Sequence, residues 1–553
     1  MADTRIKTSP RARPAGGRGR SRRSGGTREF EADKPVCERA AEATLEAFSI
    51  PVRWSADVRA AVSRLPERVE PGRYARRKDL RQLPLVTIDG ATARDFDDAV
   101  FAETREEGWR LVVAIADVAH YVRAGTALDE EAWKRGTSVY LPDRVVPMLP
   151  EALSNNLCSL RPREARLALV CDMAIDRAGT VTGYRFDEAV IRSRERMTYA
   201  QIASFLSGED LPVAMPVAGS IRALAELYRT LRQARERRGA LDFDTPESAL
   251  RLENGIVAAI TPVIRNDAHR LIEEAMIAAN VCAARFLERH EREALYRVHE
   301  GPEREKAEQL ASAFAACGIR WSPEDRTPAA LQGALRAIGG RGDAWLFEML
   351  VLRAMQQAEY RPEPRGHFGL AVERYVHFTS PIRRYPDLVV HRAIKRILKR
   401  TAGQVASRDR LVAAGEQSSM TERRAEDASR RVDTWLKCDF LAERIGETFS
   451  SVVAGVTDFG LFVDLQGFYV QGLLHVSELG ADYYHYRPAS MSLVGESSGA
   501  RFTLGDELEV RLTDVQPELG RLDLVLASAP KRGRRRRGRG NGRGRRLRGV
   551  RES

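Results

Sequence analysis

The stretch from Leu83 to Asp98 runs a short apolar segment, Leu83-Pro84-Leu85-Val86-Thr87-Ile88, straight into four aspartates: Asp89, Asp95, Asp97 and Asp98. The apolar run reads as a buried strand. Four carboxylates within ten positions repel one another and raise each other's pKa unless cations neutralise them. A fold that places them at the end of a buried strand must therefore bring positive charge to the same spot. Hard divalent cations such as Mg²⁺ take carboxylate oxygens and keep positions open for water and substrate phosphate. An Asp-rich turn that caps the next element accounts for one or two aspartates, but not for four. A strand ending in D-x-D also suggests an aspartyl-phosphate phosphatase, but no matching downstream Lys and acidic loop are found.

The chain has 553 residues, long enough for several domains with sizeable cores. Its net charge of +12 is unevenly spread. Residues 1–28 carry nine Arg/Lys against one Asp, a net +8, and residues 531–553 carry twelve Arg/Lys against Glu552, a net +11. The two tails thus account for +19, which leaves 29–530 near −7. Both tails are rich in Gly and Arg and nearly free of apolar residues, so neither can bury a core. Such segments hold polyanions through counterion release, without sequence preference, and the pair points to nucleic acid. The six cysteines, Cys37, Cys158, Cys171, Cys282, Cys317 and Cys438, form no C-x-x-C pair and have no histidine at zinc-ligand spacing. Scattered thiols of this kind fit a reduced, cytoplasmic protein. No apolar stretch approaches the ~18 residues a membrane helix needs, and the basic N-terminus has no apolar segment behind it, so it is not a secretory signal.

A helix is predicted over Cys37–Phe48, followed by a polar connector to residue 82. Residues 83–440 read as one large α/β region. Its early part holds apolar strands at Trp109–Ala116, Val118–Val122 and Leu167–Ile175. Its later part is helical, with helices at Ile221–Arg238, Asp267–Glu288 and Trp345–Ala358. In Asp267–Glu288, Leu271, Ala275, Ala278, Ala279 and Cys282 recur at three- and four-residue spacing. Residues 446–527 change character: Val452–Val456, Gly460–Leu465, Gly472–His475 and Glu507–Val515 read as short strands separated by glycines and polar residues. Five or so such strands in ~80 residues suggest a small barrel of the OB type.

The string TIDGATARDFDDAV closely resembles the signature of the catalytic (RNB) domain of the ribonuclease II/ribonuclease R family. Seven further strings resemble the same family in the same order: VAIADVAHYV (113–122), GTSVYLPDRVVPMLPEALSNNLCSLRP (136–162), RRGALDFDTPE (237–247), AHRLIEEAMIAAN (268–280), LYRVHE (295–300), GHFGL (366–370) and HFTSPIRRYPDLVVHR (377–392). The resemblance covers about 75–440, and residues 446–527 look like the S1-type RNA-binding barrel that follows this domain. The expected architecture is an α/β (α+β) RNB catalytic domain over 83–440 and a C-terminal all-β OB-fold barrel of the S1 type over 446–527. A helical connector at 31–82 precedes them, and disordered basic tails occupy 1–30 and 528–553.

The resemblance implies processive 3′→5′ hydrolysis of single-stranded RNA to nucleoside 5′-monophosphates with Mg²⁺, two ions taking part. Phosphodiester hydrolysis needs an activated water, a stabilised leaving oxygen and neutralised phosphate charge, and a two-metal carboxylate site supplies all three. By resemblance, Asp89, Asp95, Asp97 and Asp98 ligate metal, and Asp97 is the carboxylate most needed for the chemical step. Arg383, in Ser380-Pro381-Ile382-Arg383-Arg384-Tyr385, would reach the scissile phosphate, where a fixed guanidinium helps most. Read without the family, it is equally a helix-start arginine in a surface ion pair, and the adjacent Arg384 leaves a choice of register in which Arg383 is favoured. Tyr140 would stack near the 3′-terminal nucleotide; a tyrosine between apolar residues is otherwise a core residue. In the barrel, Phe459, Phe462 and His475 would offer stacking surfaces, with strand alternation turning Phe459 and Phe462 to opposite faces. His367, His377 and His391 read as structural or RNA-contacting, and Glu273 or Glu274 as facing the RNA channel.

Bacterial members of this family usually carry two cold-shock-type domains ahead of the catalytic domain. The 82 residues before the first strand are too few for them, and these domains are expected to be absent, with the Arg-rich tails as a partial electrostatic substitute. The expected protein is a monomeric, cytoplasmic exoribonuclease with no membrane association. Its partner is single-stranded RNA, with structured and ribosome-associated RNA as further candidates. The rival reading is a catalytically inactive RNA-binding regulator on the same fold.

Overall fold

The computed structural model describes residues 34–243, 247–263, 265–316, 318–339, 341, 344–400, 406–487 and 491–527. The two basic tails anticipated from the sequence lie outside the described residues.

A seven-stranded sheet organises the larger part. Its strand order is β1 (Lys78–Asp79), β8 (Val181–Arg192), β7 (Ala165–Asp176), β4 (Gly108–Ala116), β3 (Asp98–Arg105), β2 (Val86–Asp89) and β9 (Glu195–Thr198). Only the outer pairs β1–β8 and β2–β9 are parallel; the other neighbours are antiparallel. The fold is therefore of the α+β kind. The central strand β4 reads Gly-Trp-Arg-Leu-Val-Val-Ala-Ile-Ala. Its Trp109, Leu111, Val113 and Ile115 enter one core, and Val112, Ala114 and Ala116 enter the other. A strand covered on both faces must be apolar at nearly every position, and this one is.

Twelve α-helices surround the sheets among the described residues: α1 (Val36–Ala47), α2 (Ala56–Val62), α3 (Val118–Tyr121), α4 (Ala127–Arg135), α5 (Tyr199–Leu206), α6 (Met215–Arg238), α7 (Asp267–Arg289), α8 (Arg304–Ala316), α9 (Pro328–Ile338), α10 (Ala344–Ala354), α11 (Tyr385–Leu398) and α12 (Arg408–Ala442). Helices α6 and α7 cover one sheet face. Leu271, Ala275, Ala279 and Cys282 of α7 are buried there with Leu224 and Leu227 of α6. The other face is covered by Met148, Leu149, Leu153, Leu157 and Leu160, together with Leu388 and Val389 of α11. Three two-stranded ribbons complete this part: β5 (Val139–Tyr140) with β6 (Val145–Val146), β10 (Glu247–Glu253) with β11 (Ile256–Val263), and β12 (Tyr296–Val298) with β13 (Glu359–Arg361).

One strand expectation is overturned. Val118–Val122 is not a strand; residues 118–121 form α3. Val118 and Val122 are four residues apart and both fully buried, which is helical spacing, and the turn begins where the Asp117 carboxylate is captured by Arg77 and Lys395. Two helix ends also move: α6 starts six residues earlier than read, with Pro216 in its first turn, and α10 stops at Ala354 rather than Ala358.

The C-terminal part is a closed five-stranded barrel in the order β14 (Thr448–Val456), β15 (Gly460–Leu465), β16 (Val470–His475), β21 (Arg521–Leu526), β20 (Glu507–Gln516). A three-stranded sheet of β17 (Tyr484–Arg487), β18 (Ser492–Gly495) and β19 (Arg501–Thr503) is inserted between β16 and β20. The long helix α12 ties the parts together: Leu411 and Ala414 sit in a core of the larger part, Cys438 and Leu441 in the barrel core.

Candidate active site

The four aspartates sit where β2 ends and β3 begins, joined by a loop that other segments hold in shape. Arg196 Nη2 donates to the carbonyls of Gly90 and Ala91 at 2.7 and 2.6 Å, and its guanidinium lies over the Phe96 ring. Ser159 Oγ donates to the Arg94 carbonyl at 2.7 Å and accepts from the Phe96 N–H at 3.1 Å. The Leu160 N–H bonds the Phe96 carbonyl, and the Ala116 N–H bonds that of Asp97. The loop thus has few ways to collapse away from its own repulsion.

Asp97 is the most enclosed of the four, at 5 % exposed. Its Oδ1 accepts the Ile382 N–H at 2.9 Å. Its Oδ2 is buried, accepts no hydrogen bond, and lies 3.7 Å from Nε of Arg383. Burial pushes the Asp97 carboxyl well above the usual range, with Arg383 and the Ile382 N–H pulling the other way. Asp98 is pushed up to about 7 by burial and by the charge of Asp89, and its Oδ2 is likewise without a hydrogen bond. Asp89 is raised by burial first and by Asp95 second, against a hydrogen bond from the Gly90 N–H. Asp95 accepts a hydrogen bond from the Tyr140 hydroxyl at 3.4 Å. The four therefore form one electrostatically coupled group.

Arg383 reaches them because the segment 380–387 is fixed from beneath. Asp387 is fully buried, and its Oδ1 accepts both the Ser380 N–H at 2.7 Å and Nη2 of Arg384 at 2.9 Å. Ser138 N–H and Thr137 Oγ1 both donate to the Arg383 carbonyl at 3.0 Å, and the Tyr385 N–H bonds the Gly136 carbonyl. Gly136 has φ +69, and a Cβ there would sit 1.9 Å from Thr421 Oγ1, so only glycine fits this crossing. The two neighbouring arginines are thus distinguished: Arg384 is inside, paired with Asp387, while Arg383 is 44 % exposed and faces Asp97. Tyr140, 43 % exposed, stands at the same opening, its carbonyl held by Ser429 of α12.

Two aromatic residues join the site that the sequence reading did not single out. Tyr199 stacks on His269, with ring centroids 4.0 Å apart, and its hydroxyl is pushed up by burial and by the charges of Asp89 and Asp98. Tyr199 directly follows β9, which pairs with β2, and that pairing across 100 residues has no local signal. Of the three histidines read as structural or RNA-contacting, His391 is fully buried and His367 and His377 are half-buried. His377 Nδ1 meets the Tyr360 hydroxyl at 2.8 Å, and His391 Nε2 bonds the Phe378 carbonyl at 2.7 Å. Glu274 is buried against Arg235 and Glu273 pairs with Arg265.

Among the described residues no three His, Cys, Asp or Glu side chains are gathered tightly enough to form a ready-made metal cage. The two buried carboxylate oxygens without partners, on Asp97 and Asp98, nevertheless fit a cation that supplies what they lack. Mg²⁺ in particular is bound through one or two carboxylates plus waters and substrate phosphate rather than by an all-protein cage.

In the barrel, Gly460 pairs with His475 and Phe462 with Leu473, so Phe462 and His475 share one face. Phe459 does not turn away as alternation predicted. Its ring meets that of Phe462 edge to face at 5.9 Å, because Gly460 at φ +156 bends the entry to β15. Phe459 is 45 % exposed.

The RNB domain model matches residues 77–400 and the S1 RNA binding domain model residues 443–526. Ribonuclease R of Escherichia coli K12 is 45 % identical over 510 residues, 89 % of this chain and 62 % of that protein. The chain thus spans about six-tenths of the length of this curated relative. Among solved structures, Mycoplasma genitalium RNase R in complex with ribose-methylated single-stranded RNA superposes with a TM-score of 0.85 at 30 % identity, over 89 % of this chain and 78 % of that one. The same enzyme with double-stranded RNA gives 0.79 at 29 %, over 89 % and 83 %. With the RNB model covering more than half of its residues, and the carboxylate loop and its arginine inside that span, the chain belongs to the RNB family of ribonuclease R and ends its described part in an S1 RNA-binding domain.

Proposed function

We propose that this protein is a Mg²⁺-dependent exoribonuclease that hydrolyses single-stranded RNA from the 3′ end to nucleoside 5′-monophosphates. The observation that carries the reading is the Asp97 carboxylate, with one oxygen on the Ile382 N–H and the other without a hydrogen bond, 3.7 Å from Arg383. A buried carboxylate costs several kcal/mol unless something compensates it. An enzyme keeps it only where the compensating charge arrives with cofactor and substrate. The likeness to RNase R structures holding RNA supports RNA as the substrate.

Asp89, Asp95, Asp97 and Asp98 would hold the divalent ions, two of them during catalysis. Magnesium, when bound, would neutralise phosphate charge and lower the pKa of an attacking water. Asp97 is the carboxylate most needed for the chemical step: its Oδ2, left free by the Ile382 hydrogen bond, would hold a metal ion or orient the attacking water. Arg383 would place its guanidinium on the phosphate oxygens as charge builds there. Tyr140 offers its ring to the terminal base, and its hydroxyl bond to Asp95 ties that stacking surface to the carboxylates. Phe459, Phe462 and His475 would hold upstream nucleotides by stacking, which tolerates any sequence.

The test is digestion of 3′-labelled and 5′-labelled single-stranded RNA with Mg²⁺. Mononucleotides released from the 3′ end, abolished by Asp97→Asn with RNA binding kept, support the reading. Binding without turnover by the unmodified protein would overturn it in favour of an RNA-binding regulator.

A further inference from the structure

A cavity of about 380 Å³ opens between the turn joining β7 to β8 and the C-terminal turns of α6 and the middle of α7. Its floor is apolar, built from Val181, Leu231, Ile277 and Val281. Its rim carries three guanidiniums, those of Arg237, Arg238 and Arg285.

Two of the rim arginines are held by neutral groups. Arg237 Nη2 donates to the Ala178 carbonyl at 2.5 Å and Arg238 Nε to the Leu370 carbonyl at 3.1 Å. These are neutral partners that fix direction without cancelling charge. None of the three makes an ion pair among the described residues. Glu274, a carboxylate that also lines the cavity, is already paired with the buried Arg235 at 3.1 Å. Elsewhere on this surface arginines sit on carboxylates, as Arg232 does with Asp267 and Arg374 with Glu288. Arg238 shares the field of Glu274 with Arg235, whereas Arg237 and Arg285 have no carboxylate partner among the described residues; guanidiniums around one concavity repel one another, and an anion relieves that repulsion. Guanidiniums bind phosphate through paired N–H donors, and an apolar floor of this kind suits a flat ring. The volume lies within the ~300–1,000 Å³ of small-molecule sites.

The cavity is separate from the carboxylate site. None of the four aspartates, Arg383 or Tyr140 lines it. Along α7 its lining runs from Glu274 to Arg285, five to sixteen residues beyond the His269 that stacks on Tyr199, or roughly 8 to 24 Å.

We propose that this cavity is a second, non-catalytic site that binds a nucleoside 5′-monophosphate, the arginines on the phosphate and the floor under the base. The choice of this phosphate ester over others rests on the exoribonuclease reading, whose product it is.

The experiment titrates the full chain, in EDTA to silence the metal site, with adenosine 5′-monophosphate, adenosine and inorganic phosphate. The same titration is run on Arg237→Gln/Arg285→Gln, two exposed positions outside the catalytic machinery, after matching its thermal unfolding to the parent. The expected result is binding of the monophosphate by the parent at least tenfold tighter than either adenosine or phosphate, and at least tenfold weaker in the double variant. Equal binding by parent and variant, or none by the parent into the millimolar range, overturns the site. Phosphate binding as tight as the nucleotide overturns the assignment of the floor to a base. The RNA digestion ladder is read separately. A parent that binds the nucleotide through these arginines but releases no mononucleotides from RNA would sink the catalytic reading and leave the site standing.

Discussion

Asp97 and Arg383 are joined twice: Oδ1 of Asp97 takes the N–H of Ile382, the residue before Arg383, while Oδ2 lies 3.7 Å from the Arg383 side chain. The backbone contact sets where the arginine starts from, and the charge contact sets where it ends. Replacing Arg383 with Ala should lower kcat by about 10²–10³-fold, the usual loss on removing one preorganised donor to developing charge. RNA affinity should change far less, since the barrel and the basic surfaces are untouched. Parallel single-turnover and filter-binding measurements on the variant check this; an equal fall in both would make Arg383 a binding residue only.

The same carboxylate burdens the fold. Asp97 is buried, one oxygen is unpaired, and its pKa is raised by burial. Its unfolded carboxyl ionises near 4, so the raised folded pKa is stability lost once the pH exceeds that value. Asp97→Asn should abolish turnover and, with metal removed by EDTA, leave the protein as stable as the parent or more stable by about 1–3 kcal/mol. Added Mg²⁺ should raise the unfolding midpoint of the parent more than that of the variant. Denaturant melts with and without Mg²⁺ measure both effects, and a variant clearly less stable in EDTA contradicts the argument.

Asp387 is the anchor below the site. It accepts the Ser380 N–H and the Arg384 guanidinium while fully buried. Asp387→Ala strands Arg384 as an unpaired buried charge, which costs about 3–5 kcal/mol. The pair Asp387→Ala/Arg384→Met should recover most of that stability without recovering activity, because the Ser380 N–H that shapes the Arg383 turn stays unbonded. Chemical denaturation and RNA turnover on the single and double variants separate the two effects.

Much of this was legible in the chain. The acidic cluster, the apolar run before it and the strand–glycine rhythm of the barrel are local signals, and the elements they predicted form as β2 and as β14–β16 and β20. Arg383 could be preferred to Arg384 only through the resemblance; the burial of Arg384 on Asp387 is the physical reason. What was not legible depends on distant pairing. Tyr199 enters the site because β9 lies parallel to β2, and Arg196 grips the Gly90–Ala91 turn from the same strand. The alternation that sent Phe459 and Phe462 to opposite faces failed at Gly460, where positive φ breaks the strand period. Val118–Val122 misled because two buried valines four apart satisfy both a short apolar run and a helical turn.

The buried histidines should make the fold sensitive to acid well above the carboxylate range. His120 and His391 are lowered to about 4 and His367 to about 3, in each case chiefly by burial. His391 has its Nδ1 buried without a partner and its Nε2 on the Phe378 carbonyl, so a second proton has nowhere to be solvated. These groups bind protons more readily when unfolded, near pH 6.5, than when folded. The unfolded state therefore holds more protons between about pH 6.5 and 4, and stability rises with pH across that window. A fully buried imidazole shifted this far contributes up to ~3 kcal/mol, complete above pH 6.5 and lost as pH falls toward 4. Asp117, held well below the usual carboxylate range by Lys395 and Arg77 against its burial, adds a loss only below about pH 4. Asp97 and Asp98, raised by burial, act in the opposite direction over the same range, so the histidine share is read by difference: between pH 7.5 and 5 the urea midpoint of His391→Gln should fall less, or rise more, than that of the parent. An unchanged slope in that variant would assign the acid sensitivity to other groups.

The barrel face gives a prediction independent of the catalytic loop. Phe462 and His475 share a face, and the half-exposed Phe459 ring packs edge-on against Phe462, so the three form one patch rather than two. Base stacking on an aromatic is worth about 1–3 kcal/mol per base, or roughly five- to a hundred-fold in affinity. Phe459→Ala and Phe462→Ala should each weaken binding of a single-stranded RNA long enough to span barrel and active site. Because the rings touch, the double variant should lose less than the sum of the singles. A trimer or tetramer too short to reach the barrel should be cleaved at the parent rate by all three variants. Affinity by fluorescence anisotropy and cleavage of the short oligomer distinguish this arrangement from two separate stacking sites, whose losses would add, and from a structural role, which would slow the short substrate too.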